Sequence, residues 1–133
     1  MICESDVRQE VQGQIGVDIT KPIVPSWKDH VYSCHFVYGK NVMTLSVKEL
    51  ANTAQTSAYF AAQAAALGKT RTIQGLGQGA FQTKNGSAVV RKDYKVLLVD
   101  VSGLPANFGS PPDTKGDIAL NVASLIMGCW TGA

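Results

Sequence analysis

Residues 75–101 read GLGQGAFQTKNGSAVVRKDYKVLLVDV, and this stretch decides the fold. A glycine-rich approach leads into strand-like runs that are separated by two tight turns. Asn85-Gly86 is the dipeptide of a type I′ hairpin turn, because both central residues of that turn need a positive φ. Lys92-Asp93 marks the next reversal of the chain. The stretch therefore predicts short antiparallel strands that follow one another in a β-meander.

Residues 27–50 contain a second group of strands, in which apolar side chains recur at every second position. A period of two places these side chains on one face of a strand. The turn between the two strands falls at Gly39-Lys40-Asn41. The apolar positions of this predicted hairpin are Tyr32, Cys34, Phe36, Tyr38, Met43, Leu45 and Val47. The opposite face is mostly polar, so we expect it to meet solvent.

The beginning of the chain predicts a short amphipathic helix. Val7, Val11 and Ile15 lie four residues apart, which places them on one helical face. Ser5 or Asp6 is suited to the N-cap, and the glycine directly after Ile15 can end the helix in the left-handed conformation. A proline-containing linker follows, because closely spaced prolines exclude a helix interior and a central strand.

Two longer helices are also predicted. Alanine dominates residues 51–67, and alanine has the highest intrinsic helix propensity. The last helix starts at Asp113 or Thr114 and runs to about Trp130, and Thr114 with Asp117 resembles a capping box. Its expected buried face consists of Ile118, Val122, Leu125, Ile126 and Cys129.

The order of these elements predicts an α+β fold. We expect one domain over residues 1–133, with helices packed on an antiparallel sheet of about five strands in the order α-β-β-α-β-β-β-α. A hydrophobic fraction of 45% and a charged fraction of 17% are typical of a globular chain rather than a disordered one. No apolar run approaches the roughly 18 to 20 residues that span a bilayer, so the sequence as it stands predicts a soluble domain.

Positive charge is concentrated in residues 69–95. A formal net charge of +2 gives no argument for specific nucleic-acid binding, but this segment contains six basic residues and Asp93 as its single acid. The basic residues are Lys69, Arg71, Lys84, Arg91, Lys92 and Lys95. They could attract an anionic surface, or they could be solvated side chains that protect sheet edges from pairing.

The three cysteines leave several pairings open. Cys3, Cys34 and Cys129 are an odd number, and their spacing does not fit a zinc or thioredoxin-type motif. A Cys3–Cys34 disulfide is preferred, because it would join the first helix to the first hairpin. A Cys3–Cys129 bond and three reduced, buried cysteines remain alternatives.

These features together resemble those of a known group of proteins. Cys3 precedes a capped helix, Tyr32-Ser33-Cys34-His35-Phe36 opens a hairpin, and residues 75–81 lead into a meander followed by a long final helix. This arrangement resembles the small actinobacterial cell-envelope lipoproteins of unknown function, which have a PsbP-like fold. The resemblance implies an exported domain with a Cys3–Cys34 disulfide, tethered to the membrane through an N-terminal lipid in the full-length precursor.

The glycines of residues 75–79 do not predict a nucleotide site. A dinucleotide fingerprint needs a preceding strand, a different spacing and a following helix whose N-terminus meets the phosphate. Here Phe81 begins a strand instead. The glycine run therefore predicts a loop or bulge where two backbone segments approach closely, and the sequence predicts no cofactor.

Catalytic and metal sites have little support. Cys129 and His35 could form a nucleophilic pair only if the fold brought them together and exposed a thiol of low pKa. His30 and His35 lie five residues apart in an extended run and point to opposite faces, which disfavours shared metal ligation. We therefore assign neither catalytic nor metal-binding residues.

The aromatic residues offer one further candidate site. Tyr59, Phe60, Phe81 and Trp130 could line an apolar pocket between the second helix and the sheet, although ordinary core packing is the alternative. The sequence thus favours a non-enzymatic, extracytoplasmic domain that binds a small hydrophobic ligand or an envelope protein. A cytosolic adaptor domain and a cofactor-free hydrolase that uses Cys129 and His35 are the competing hypotheses.

Overall fold

A computed structural model describes residues 2–130. In this part of the chain, three helices and nine strands form an α+β fold, in agreement with the predicted class. The elements are α1 (Ser5–Ile15), β1 (Ser26–Lys28), β2 (Val31–Tyr38), β3 (Asn41–Glu49), α2 (Thr53–Leu67), β4 (Lys69–Thr72), β5 (Gly79–Thr83), β6 (Ala88–Lys92), β7 (Lys95–Gly103), β8 (Asn107–Phe108), β9 (Asp113–Thr114) and α3 (Lys115–Trp130).

Seven strands form one antiparallel sheet in the order β1-β2-β3-β7-β6-β5-β4, and β8 pairs with β9 separately. The prediction of about five strands was too low, because the sequence pattern did not predict β1 and β4. Both are short edge strands whose residues are all exposed, so neither has the alternating burial that marks a strand in a sequence. The predicted first hairpin is confirmed as β2–β3, with Cys34 opposite Leu45 and Phe36 opposite Met43.

The main core lies between one face of the sheet and the helices α1 and α3. Cys34, Phe36, Met43, Leu45 and Val47 are all fully buried on this face. The three apolar residues that predicted α1 are also buried. The alternating pattern of the first hairpin therefore identified the face that carries the core.

Helix α2 covers part of the opposite face, mainly over β5, β6 and β7, and Lys48 of β3 also lies over the Tyr59 ring. The cluster beneath it is small: Phe81, Val89 and Val96 are buried, with half-buried apolar residues of α2 packed against them. Over β2 and β3 this face carries polar residues such as His35 and Thr44, whose side chains hydrogen-bond each other. Helices α1 and α3 thus cover the main core on one face of the sheet, and α2 covers part of the other face.

The type I′ turns lie at other positions than the one predicted. Asn85 has no positive φ; its side-chain oxygen instead accepts hydrogen bonds from the Thr83 hydroxyl at 2.8 Å and the Ser87 amide at 3.0 Å, while Gly86 has φ 90°. The positive φ pairs occur at Asp29-His30 (54° and 60°), between β1 and β2, and at Asp93-Tyr94 (52° and 63°), between β6 and β7. Side-chain hydrogen bonding therefore decided the conformation at Asn85.

Two details of the helix predictions were wrong. Neither Ser5 nor Asp6 is the N-cap of α1; Glu4 occupies that position without a side-chain capping bond. On α3 the predicted Ile118, Val122 and Ile126 are buried and Leu125 is half-buried, but Cys129 is exposed and the buried face also includes the small Ala119 and Ala123, which allow close approach to the sheet. The predicted Thr114 cap is confirmed, since its hydroxyl accepts a bond from the Asp117 amide at 3.2 Å.

Candidate functional site

The Cys3–Cys34 disulfide positions the beginning of α1. The two Cα atoms are 6.0 Å apart, both cysteines are buried, and 31 positions separate them in sequence. This bond confirms the preferred pairing and leaves Cys129 as a free, exposed thiol. Because the bond ties the start of α1 to β2, it holds that helix end beside the sheet, where the C-terminal end of α3 also lies.

A cleft of about 710 Å³ opens between these two helix ends and the β6–β7 turn. We call it the α1–α3 cleft. It is lined by Ile2, Glu4, Asp6, Val7, Glu10, Asp93, Lys95, Ile126, Cys129 and Trp130. The apolar members are buried residues of the main core, so they form a floor, whereas most of the charged members are exposed. The cleft therefore combines an apolar interior with a charged rim.

The rim is predominantly acidic, and its negative charge affects the thiol of Cys129. The thiol donates a hydrogen bond to the Glu10 carboxylate at 3.5 Å. Partial desolvation, this hydrogen bond and the negative charges of Glu10 and Asp6 together raise the pKa of Cys129 above its ordinary value. A raised pKa keeps the thiol protonated, which is the opposite of what a nucleophilic cysteine needs.

The turn that carries Asp93 is fixed by the glycine-rich loop. The Asp93 amide donates to the side-chain oxygen of Gln78 at 3.1 Å, and the Gln78 side-chain amide donates to the Asp93 carboxylate at 3.3 Å. The Gln78 backbone amide also bonds the carbonyl of Arg91 at 2.8 Å. A Cβ at Gly77 would lie 2.8 Å from that carbonyl oxygen. The prediction that these glycines permit close backbone approach is thus confirmed.

The four residues of the predicted aromatic pocket do not come together. Tyr59, Phe60 and Phe81 belong to the cluster under α2, where the ring centroids of Phe60 and Phe81 are 5.0 Å apart. Trp130 lies in the main core on the other side of the sheet. It does line a cavity, the α1–α3 cleft, but with aliphatic and acidic neighbours.

The predicted basic patch is divided among several places. Arg91 lies over the Phe60 ring and donates to the Ser57 hydroxyl at 2.8 Å, while Lys69 lies over the Phe81 ring. These two cations pack against the cluster under α2.

The other four basic residues have different surroundings. Arg71 donates to the Gln82 side-chain oxygen at 2.7 Å, and the side chain of Lys84 lies against Gly68. Lys92 pairs with Lys95 in the β6–β7 ladder, and Lys95 lines the α1–α3 cleft. The sequence run of positive charge therefore corresponds to no single surface.

Cys129 and His35 are also far apart in the fold. His35 is exposed on the polar part of the sheet, with Nδ1 2.9 Å from the Thr44 hydroxyl, whereas Cys129 bonds Glu10 on the side of α1 and α3. His30 lies in the β1–β2 turn, with its ring 5.8 Å from that of Trp27. Within residues 2–130, we find no group of three or more histidine, cysteine or acidic residues that could hold a metal ion.

Sequence reasoning missed most of the cleft. Asp6 and Glu10 lie four residues apart on α1 and flank Val7, a spacing that predicts one acidic edge of a helix. That Asp93 lines the same cleft depends on where the fold places α1 relative to the β6–β7 turn, more than 80 residues later in the chain. Only the acidic edge could have been found from the sequence.

Comparisons with known proteins give no relative from which a function could be transferred. No family model, no curated protein and no solved structure matches this chain. Across residues 2–130, every helix is too short or too polar to cross a membrane. The α1–α3 cleft and the disulfide are therefore the features of the molecule that bear on its function.

Proposed function

We propose that this protein is a non-enzymatic, extracytoplasmic domain that binds a small hydrophobic ligand in the α1–α3 cleft. The observation that carries the proposal is the cleft itself, with its volume of about 710 Å³ and its floor of buried apolar side chains. Small-molecule sites in proteins typically have volumes of about 300 to 1,000 Å³ and largely apolar linings. The cleft fits this class in both respects.

The Cys3–Cys34 bond supports an extracytoplasmic location. Structural disulfides persist in oxidising compartments and are rare in the reducing cytosol. Both cysteines are buried, so reductants have little access to the bond. Together with the resemblance to actinobacterial envelope lipoproteins, this supports the proposal that an N-terminal lipid tethers the full-length protein to a membrane.

The shape of the cleft suggests how a ligand would bind. Of the apolar lining residues, Ile2 is fully buried and Ile126 and Val7 are only 2% and 6% exposed, so Trp130, which is 9% exposed, offers a ligand the largest share of apolar surface. An apolar ligand body that covers these side chains would gain roughly 25 cal/mol for each Å² removed from water. The exposed Cys129 lies beside this floor and offers a position at which the cleft can be blocked.

Titration with the neutral fluorescent probe N-phenyl-1-naphthylamine tests the proposal. We expect saturable binding of one probe per chain, with quenching of tryptophan emission by energy transfer. Cys129→Phe should fill the cleft and weaken probe binding at least tenfold. Ser124→Phe is the matched control, because Ser124 is exposed on the same helix and does not line the cleft. Absence of saturable binding, or equal binding by both variants, would disprove this function.

A further inference from the structure

The acidic residues of the cleft rim come from separate parts of the chain. Asp6 and Glu10 project from α1, and Asp93 lies in the β6–β7 turn; Glu4 also lines the cleft just before α1. Among the described lining residues, Lys95 is the one cation. Two chain segments, residues 4–10 and the β6–β7 turn, thus bring negative charge to the mouth of one cavity.

This acidity runs against the charge of the protein as a whole. The chain has 12 basic and 10 acidic residues, so basic residues are slightly in excess. The described lining of the cleft nevertheless contains four of the acidic residues and a single basic one. Carboxylates on one rim give it a negative potential, which attracts cations and disfavours anions.

The exposed thiol of Cys129 lies beside the acidic rim and is affected by its negative charge. Its negative form is disfavoured by desolvation, by the Glu10 hydrogen bond and by the charges of Glu10 and Asp6, all of which raise its pKa. An anionic ligand group placed beside Cys129 would be repelled by the same carboxylates. A cationic group would be attracted by them, while its apolar body rested on the floor.

We infer that the ligand of the α1–α3 cleft is a cationic amphiphile, with an apolar body and an ammonium group that lies among Asp6, Glu10 and Asp93. This inference rests on the proposed function, since it specifies the ligand class of the same site. Contact with the apolar floor provides the binding affinity, and the carboxylates make the site prefer a cationic ligand over a neutral or an anionic one.

Displacement of the bound naphthylamine probe by three detergents with the same alkyl chain tests the inference. Decyltrimethylammonium, decyl maltoside and decyl sulfate are each titrated below their critical micelle concentrations, at low and at high sodium chloride. We expect decyltrimethylammonium to displace the probe at a concentration at least tenfold lower than the other two. The preference should shrink at high salt, because exposed charges are screened.

Variants of the rim identify the source of this preference. Asp6→Asn and Glu10→Gln should each reduce the ratio of cationic to neutral affinity severalfold. Asp18→Asn is the matched control, because it makes the same change in net charge at an exposed residue that does not line the cleft. A ratio that falls equally in all three variants would show a general charge effect and overturn the inference.

The outcomes separate the two proposals. Equal displacement by the three detergents, or strongest displacement by decyl sulfate, would overturn the cationic ligand while the cleft remained a binding site. If the naphthylamine probe does not bind at all, both the proposed function and this inference fail.

Discussion

The two faces of the sheet are covered by helices that are similar in sequence character and very different in burial. Helix α2 has 15 residues and α3 has 16, and both are rich in apolar residues. Thr56 is the one buried residue of α2. Seven residues of α3 are buried: Ile118, Ala119, Val122, Ala123, Ile126, Met127 and Trp130. Apolar composition therefore predicts a helix but not how deeply it packs.

Side-chain size and the Cys3–Cys34 disulfide explain why α3 is more deeply buried than α2. Most of the alanines of α2 are exposed, and an alanine side chain brings little apolar area to an interface. Helix α3 alternates small residues with large ones, so it can approach the sheet and still fill the space between them. On that side α1 also packs against α3, and the disulfide fixes α1 to β2. The cleft lies on the better supported side.

The largest predicted effect compares one phenylalanine from each face. Phe36 is fully buried under α1 and α3, so Phe36→Ala should lower the free energy of unfolding by about 3–5 kcal/mol. Phe60 is half-buried on α2, so Phe60→Ala should cost only about 1–2 kcal/mol. Urea unfolding followed by circular dichroism measures both values. Equal losses would mean that the two faces contribute alike, against the burial difference.

The second prediction concerns the crosslink. Reduction of the disulfide should lower the free energy of unfolding by about 2–4 kcal/mol, because the unfolded chain regains the freedom of a loop that spans 31 positions. Amide hydrogen exchange should accelerate in α1 and change little in α2. The Cys3→Ala/Cys34→Ala variant, measured with and without reductant, controls for other effects of the reductant. An unchanged urea midpoint after complete reduction would contradict the expectation.

The sequence predicted the well-packed face better than the other. Cys34, Phe36 and Leu45 alternate with exposed or half-buried residues, so the buried side of the hairpin could be read directly from a period of two. The strands β1 and β4 lack that signal because they are exposed throughout. Their assignment depends on partners across the sheet, which local sequence does not encode.

The candidate site was less predictable for a related reason. Trp130 was named as a pocket residue, but with aromatic partners that lie across the sheet. The angle at which α3 packs decides which cavity a residue near its end can line. The spacing of the larger apolar residues correctly predicted that Ile118, Val122 and Ile126 are buried, but it did not show that the buried face extends through Ala119 and Ala123 to Trp130. Local periodicity therefore predicted the helix α3 but not the cleft that its C-terminal end lines.

The smallest predicted effects separate helix propensity from packing on the two faces. Ala61 is exposed on α2, so Ala61→Gly should destabilise the protein by roughly 1 kcal/mol through backbone entropy alone. Gly13 is exposed within α1, and a Cβ there would meet no atom within 4 Å, so Gly13→Ala should stabilise it by roughly 0.5–1 kcal/mol. Thermal and urea unfolding measure both changes.

A second alanine of α2 provides the control for this last pair. Ala65 is also exposed, so Ala65→Gly should match Ala61→Gly if α2 contributes through helix propensity alone. A much larger loss at either alanine would contradict its exposed position and the small contribution expected from α2. Matched small losses would leave α2 as a light cover over Phe81, Val89 and Val96, while α3 packs more deeply on the other face of the sheet.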